Sequence, residues 1–437
     1  MLHVVMNPAE INNLHKKVEV NFLSVGGSLS NNKLTFEDVL NGDDILDMAL
    51  ERRDGPLNLR SEVQVLGPSF GFNAKKWAFG FTSQVFVKAD ILDLNTDLGR
   101  ALSSDNSINR SYDVDLRSPV NQRVNGAGWL ELGLTAGREV VHTKKHHLSA
   151  GTTLKFLIPA VYVNLGMNNL RGTLTENDGE YSLSNATGEI NINYPQGYAN
   201  DDFFDLTPRD FNLSNISGMA LDFGLAHQLK NKAGASILSS GISVRNLGSF
   251  NIASGQTNNT YSMNIPAGES FRLDLLDGEL DEIEEQLLAS GYFSRSRGEG
   301  DFKANIPTII SVYTDFRVGS SLYLGLYGQR RVSNNHNNNQ IASQNVLSIT
   351  PRIVLGKLEI YSPWARYEVS GITGGMGLRM GGFFVGSQSL ISGLLLNEGM
   401  MADVHAGLSW GFGRKTPKKK KRIVEEQTLE DFPQPVD

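Results

Sequence analysis

The sequence predicts an all-β chain: a transmembrane antiparallel β-barrel of about 14 strands with small helical insertions. Three observations carry that prediction. Residues 402–414, ADVHAGLSWGFGR, place Val404, Ala406, Leu408, Trp410 and Phe412 on one parity and Asp403, His405, Gly407, Ser409, Gly411 and Gly413 on the other. Successive strand side chains point to opposite faces, so one face can meet hydrocarbon while the other lines a lumen, with aromatic rings at headgroup level. The 437 residues include 45 Gly, 21 Phe and 12 Tyr at 40% hydrophobic content, with a mean hydropathy of −0.23. No uninterrupted apolar run approaches the ~18 residues of a spanning helix, whereas a barrel strand needs only about 9–11 residues, half of them polar. Finally, alternating segments of roughly ten residues recur along the chain, where soluble strands average about 5–6.

Taken in order, residues 18–24 and 62–73 open the series. Residues 75–88 carry Trp77, Phe79, Phe81, Val85 and Val87 on one face. Residues 128–140 carry Leu130, Leu132, Leu134 and Ala136, alternating with Glu131, Gly133 and Thr135. After a polar turn at 142–147 comes a partner with Leu148, Ala150, Leu154, Phe156 and Ile158, which makes a long hairpin. Residues 161–170 follow, then 219–228 and 234–245, facing one another across Lys230, Asn231 and Lys232. Residues 304–316, 321–331, 346–355, 357–369, 374–385 and the closing segment bring the total to about fourteen, inside the even range of 8 to 26 for single-chain bacterial barrels. Trp77, Phe79, Phe81, Leu130, Leu132, Leu134, Leu408, Trp410 and Phe412 are the expected lipid-facing set.

Residues 91–125, 171–215, 249–302 and 333–344 read as polar insertions of the kind found on the outer rim of barrels. They alternate imperfectly with the short turns, which implies a missed or miscounted strand and leaves the outward rim open. Two insertions have helical patterning. Residues 34–53 set Phe36, Val39, Leu40, Ile45, Leu46, Met48 and Ala49 among acids. Residues 274–290 align Leu276, Leu280, Ile283 and Leu287 opposite Glu279, Asp281, Glu282, Glu284 and Glu285. Such a stripe either packs on its neighbour or docks a partner protein through Leu280, Ile283 and Leu287. The barrel is expected to fill residues 1–414. Residues 415–437 form a tail with too few apolar groups to fold alone. Its basic block, Lys418, Lys419, Lys420, Lys421 and Arg422, is a second candidate contact, for an acidic partner or anionic headgroups.

Chemistry is mostly excluded. The chain has no cysteine, hence no thiol catalysis, zinc-thiolate site or disulfide. A formal charge of −7 argues against nucleic acid as a partner. His142, His146 and His147 lie in a Lys-rich turn with only Glu139 nearby, and a strand-turn geometry is not expected to fix them on one face. Gly374, Gly375, Gly377, Gly381 and Gly382 read as small residues within one strand, not as a phosphate loop, which would need a following helix. The Asn-rich run 333–340 is turn chemistry. The chain is therefore expected to be non-enzymatic, with no catalytic, cofactor or metal residues. Residues 1–13 show neither a cationic n-region nor a long apolar h-region, so an envelope protein would be processed or truncated here; otherwise the chain is soluble.

The early tripeptide Asn7, Pro8 and Ala9, the strand containing Asn246, Leu247 and Gly248 within SILSSGISVRNLGSF (236–250), and the glycine-aromatic closing strand together resemble the FadL/PorV superfamily of outer-membrane barrels. The resemblance is strongest to a Bacteroidota branch and covers residues 7–412. It implies fourteen strands, a place in the bacterial outer membrane, and a plug-like N-terminal segment, residues 1–15, with Asn7, Pro8 and Ala9 inside the lumen. Relatives of this kind either pass hydrophobic molecules, as FadL-type channels, or serve type IX secretion, as PorV-type components. Because the inward-facing sets are polar and glycine-rich, the expectation is a scaffold or accessory subunit of an envelope assembly or secretion complex, in contact with outer-membrane lipid and protein partners. The alternative is a FadL-like transporter of hydrophobic small molecules.

Overall fold

A computed structural model describes the chain except for residues 42–43, 53, 104–111, 178–179, 196–210, 253–255, 277–279, 298–301, 396–398 and 415–437. Alternating sequence becomes antiparallel ladder throughout, and the last strand finds the first. β1 (Lys16–Asn31) pairs with β2 (Leu57–Leu66) and, past a break at Gly67 and Pro68, with β3 (Ser69–Ala74). β4 (Trp77–Leu94) runs along both. β5 (Tyr112–Arg117) stands outside the ring, which continues through β6 (Gln122–His142) and β7 (His146–Asn177). β8 (Glu180–Pro195) again lies outside; β9 (Gly218–Lys230) and β10 (Ser236–Ile252) resume the ring. After the outlying β11 (Gln256–Arg272) and β12 (Phe293–Arg297) come β13 (Phe302–Asn305), β14 (Ile309–Arg317), β15 (Leu322–Arg331) and β16 (Val346–Leu355). The ring then takes in β17 (Leu358–Tyr361) with β18 (Trp364–Tyr367), β19 (Gly371–Gly374) with β20 (Met376–Met380), and β21 (Phe383–Ser387). β22 (Met401–Arg414) closes it on β1, with Val18 opposite Phe412 and Ser30 opposite Met401.

With the interrupted pairs counted once, the ring has 14 staves. The sequence count reaches the same figure through two errors that cancel. Residues 161–170 are not a separate stave but the continuation of β7, whereas 374–385 bend into β20 and β21 at Gly381 and Gly382. Gly381 has φ +63, so Gly381 and Gly382 are the hairpin turn itself, whereas Gly374 and Gly377 lie within strands as read.

Six short connections, at residues 75–76, 143–145, 231–235, 318–321, 356–357 and 381–382, lie on one rim, where Lys16 also meets Arg414, and one more, at 368–370, lies on the other. The long connections leave from the other rim. The imperfect alternation seen in sequence came largely from the miscounted strands; the turn at 368–370 is the short connection that remains on the long-loop rim. Along the short-turn rim, Phe70, Phe72, Trp77, Phe79, Phe316, Phe383, Trp410 and Phe412 are exposed on the outer face. Trp77 stacks on Phe79 at 6.3 Å, and Arg138 lies 5.2 Å above the Trp77 ring. This is the aromatic girdle expected where apolar wall meets headgroups. Of the nine residues expected to face lipid, Phe81, Leu130 and Leu132 are half-buried and the rest exposed, all on the parity opposite the lumen-directed glycines.

Leu132 sits at mid-height of the apolar wall. Leu132→Arg should cost about 2–4 kcal/mol of barrel stability, and Phe412→Arg at the rim about 0–1. Heat-modifiable mobility in detergent should therefore be lost at lower urea in the first variant than in the second; equal midpoints would place Leu132 away from hydrocarbon.

Above the long-loop rim, β7 runs on past its ring neighbours, and β5, β8, β11 and β12 build a lobe around it. The insertions expected as loops at 91–125, 171–215 and 249–302 are in large part this lobe and the extended ends of β4 and β6. Two helices cover it, α4 (Thr96–Leu102) and α5 (Leu280–Ala289); the apolar run at 34–53 is not one helix but two short ones, α2 (Phe36–Asn41) and α3 (Ile45–Glu51). Leu287 is 1% exposed, and Leu280, Ile283 and Leu276 pack with it against Ile190, Ile192, Tyr261 and Met263. The partner-docking role expected of Leu280, Ile283 and Leu287 is therefore corrected. A sheet raised out of the membrane must cover its apolar face, and α5 does so. On the same helix the buried Glu284 accepts from Asn259 and Tyr261, each at 2.7 Å. Burial, together with that carboxylate, pushes the Tyr261 hydroxyl well above the usual phenol range.

Candidate functional site

The lumen is filled from both ends. On the short-turn side, residues 1–14 fold into it as α1 (Leu2–Met6) and a 3-10 turn, Pro8–Asn13. The tripeptide explains the turn: the Asn7 Oδ1 accepts from the Ala9 amide at 2.9 Å, and Pro8, at the first helical position, has no amide to leave unpaired. Asn7 is fully buried; its Nδ2 donates to the carbonyls of Leu225 at 2.9 Å and Ile242 at 3.3 Å on β9 and β10. The Ser243 hydroxyl donates to the Met6 carbonyl at 2.8 Å, Arg245 donates to the Val5 carbonyl at 3.2 Å, and Tyr313 to Glu10.

The wall is shaped for this segment. Gly137, Gly151 and Gly224 stand side by side in register across β6, β7 and β9. A Cβ on Gly151 would lie 2.5 Å from the Pro8 carbonyl carbon; one on Gly224 would strike Asn7, and one on Gly137 would strike Ile11 and Asn12. Gly71 on β3 would meet Ile11 at 2.6 Å. Only residues without side chains let the segment lie this close to the wall.

Beyond the segment, the Lys155 ammonium sits between Glu131 at 3.0 Å and Asp222 at 3.1 Å, fully enclosed. The Trp129 indole donates to Glu131 at 2.9 Å and the Asn246 amide to Asp222 at 2.7 Å, so the second carboxylate is supported by neutral donors.

At the far end the Asn-rich run, read from sequence as a turn, folds inward across the mouth. Arg123, 1% exposed, holds it: its guanidinium donates to the carbonyls of Asn335 and Gln340, the latter at 3.0 Å, while its Nε donates to Asn164 at 2.8 Å. The Tyr162 hydroxyl donates to the Asn338 carbonyl at 2.5 Å and the Lys88 ammonium to the Ala342 carbonyl at 2.9 Å. Nothing local in sequence marks Arg123 as a latch. The available signal is a cation at an inward strand position, which must find acceptors.

Beside this loop a cavity of about 280 Å³ is bordered by Arg60, Glu62, Lys88, Asp90, Tyr367 and Asp403. Lys88 pairs with Glu62 at 3.0 Å and Arg60 with Asp90 at 3.5 Å. The lining is charged, with two cations and three carboxylates, unlike the apolar pocket of a hydrophobic carrier. At the opposite mouth the expectation for the histidines is corrected in part: His142 and His147 each come within hydrogen-bond distance of Glu139, whereas His146 turns outward to His227, on a different face from His142 as expected. The basic block Lys418, Lys419, Lys420, Lys421 and Arg422 lies outside the described residues.

A closed antiparallel ring with an apolar, aromatic-girdled exterior and a polar, occupied interior defines a transmembrane β-barrel with an internal stopper. The chain belongs to DUF5723, a family of unknown function, whose profile matches residues 8–388. No curated protein matches it. Among solved structures it is similar to the translocator domain of the autotransporter NalP from Neisseria meningitidis, at 6% identity and TM-score 0.34, covering 94% of each chain. It is also similar to the toluene transporter TbuX of Ralstonia pickettii, at 11% identity and TM-score 0.38, covering 93% of this chain and 92% of that one. The toluene transporter TodX of P. putida matches at 10% identity and TM-score 0.32, with 93% of each chain covered. The fold assignment itself rests on the closed ring.

Proposed function

We propose that the chain is a gated outer-membrane channel, the transport alternative of the sequence reading, with its short turns in the periplasm as in other barrels of this kind. One observation carries this: two separable closures, residues 1–14 and the inward loop, flank a charged cavity inside a ring that is complete without either. Of the two contacts expected of a scaffold, the apolar stripe is covered by the lobe. The charged lining favours small polar or zwitterionic solutes over the hydrophobic molecules named in that alternative. The PorV-like, type IX and Bacteroidota parts of the resemblance draw no support from the matches.

Liposome swelling tests the reading. Vesicles carrying the full chain should admit a small zwitterion such as glycine slowly, and vesicles carrying the chain without residues 2–14 should admit it much faster. Equal, negligible rates with a correctly folded barrel in both would remove the channel reading, and co-purification of a stoichiometric partner from solubilised outer membranes would restore the scaffold.

A further inference from the structure

We infer that the short-turn mouth of the lumen holds a site for a divalent transition ion of the zinc type, formed by Glu139, His142 and His147. The hairpin creates it. β6 and β7 pair up to His142 opposite His147, and an irregularity between Glu139 and Val141 inserts an extra residue on β6. That bulge turns Glu139 and His142 toward the same point, which strict alternation would not do for residues three apart. One carboxylate oxygen, Glu139 Oε2, lies 3.1 Å from His142 Nδ1 and 2.9 Å from His147 Nε2. All three donor atoms lie within 4.8 Å of one another. The imidazoles meet edge to face, with centroids 5.4 Å apart.

Around a tetrahedral ion with bonds of about 2.0–2.2 Å, donor atoms stand about 3.3–3.5 Å apart. The two carboxylate–imidazole spacings need only a slight opening to admit such an ion. Two neutral imidazoles and one carboxylate are a borderline-soft set that suits Zn²⁺, Co²⁺ or Ni²⁺ and is a poor match for Ca²⁺ or Mg²⁺. Three protein donors leave a fourth position open to water or an anionic group. His147 is buried and Glu139 half-buried at the lumen end, while His142 reaches in from the exposed turn. His146 is excluded: its Nδ1 lies 3.1 Å from His227 Nε2 on the outer face. The inference does not depend on the channel reading.

Untagged full-length protein in detergent would be titrated with Zn²⁺ by calorimetry and with Co²⁺ by visible absorption, which reports a low-symmetry N/O site directly. One ion per barrel is expected. Glu139→Gln and His147→Gln should each weaken binding roughly tenfold or more, as should His142→Gln, whose exposed position leaves folding unaffected. His146→Gln and His227→Gln should change nothing. Absence of stoichiometric binding to the unmodified chain, binding that survives all three ligand substitutions, or binding lost through His146→Gln instead would each overturn the site.

Discussion

Leucine at both Gly151 and Gly224 is expected to drive residues 1–14 out of the lumen and convert a closed barrel into a conducting one, read as stable single-channel conductance in planar bilayers. The added side chains meet backbone at Pro8 and the capping side chain at Asn7, neither of which can rotate aside. Overpacking of this kind costs typically about 1–3 kcal/mol per site. Against it stand a handful of hydrogen bonds, each worth a net ~0.5–1.5 kcal/mol, from Asn7, Ser243 and Arg245. Two substitutions should therefore displace the segment, while the ladder between β6, β7 and β9 is left intact. Heat-modifiable mobility would show that the ring still forms. A folded double variant that conducts no better than the parent would mean that residues 1–14 are not the closure.

Arg123→Met is expected to release the other closure. It strips donors from the carbonyls of Asn335 and Gln340 and from Asn164, all in a dry mouth. Each orphaned acceptor costs about 1–3 kcal/mol, and the loop recovers most of that by moving into water. The absence of cysteine from the chain makes the readout clean. Ala342, fully buried, can be replaced by cysteine and its maleimide labelling followed. Slow labelling in the parent should become fast with Arg123→Met, and unchanged labelling would show that the loop is held by something other than the guanidinium.

What the sequence made legible was local. Period-2 alternation separated Trp77, Phe79 and Leu134 from Ala78, Gly80 and Gly133, because parity is a property of neighbouring residues. Asn7 and Pro8 could be read as a cap followed by a proline at the first helical position for the same reason. Where a strand goes is not local. Nothing in residues 161–170 shows that β7 leaves the ring there, and only the tertiary pairing with β8 and β5 does so. The Asn-rich loop looks like any polar turn until Arg123, more than two hundred residues earlier, is found against it. Likewise the stripe of Leu280, Ile283 and Leu287 has the same moment whether it covers this chain or another, and the choice is made by the exposed face of the lobe.

β7 is a single 32-residue strand. Its lower half presents Gly151 to Pro8, and its upper half is the spine on which β5 and β8 hang. At about 3.3 Å per residue, it reaches from the short-turn mouth to well beyond the long-loop rim, with ladders on both sides along most of its length and an irregularity at residues 168–173 where it enters the lobe. A load applied to the lobe is therefore carried into the ring along one continuous strand. It arrives as shear between β6, β7 and β9, along the row of glycines where the stopper rests, so whatever grips the lobe also has mechanical purchase on the seal at the opposite mouth of the barrel.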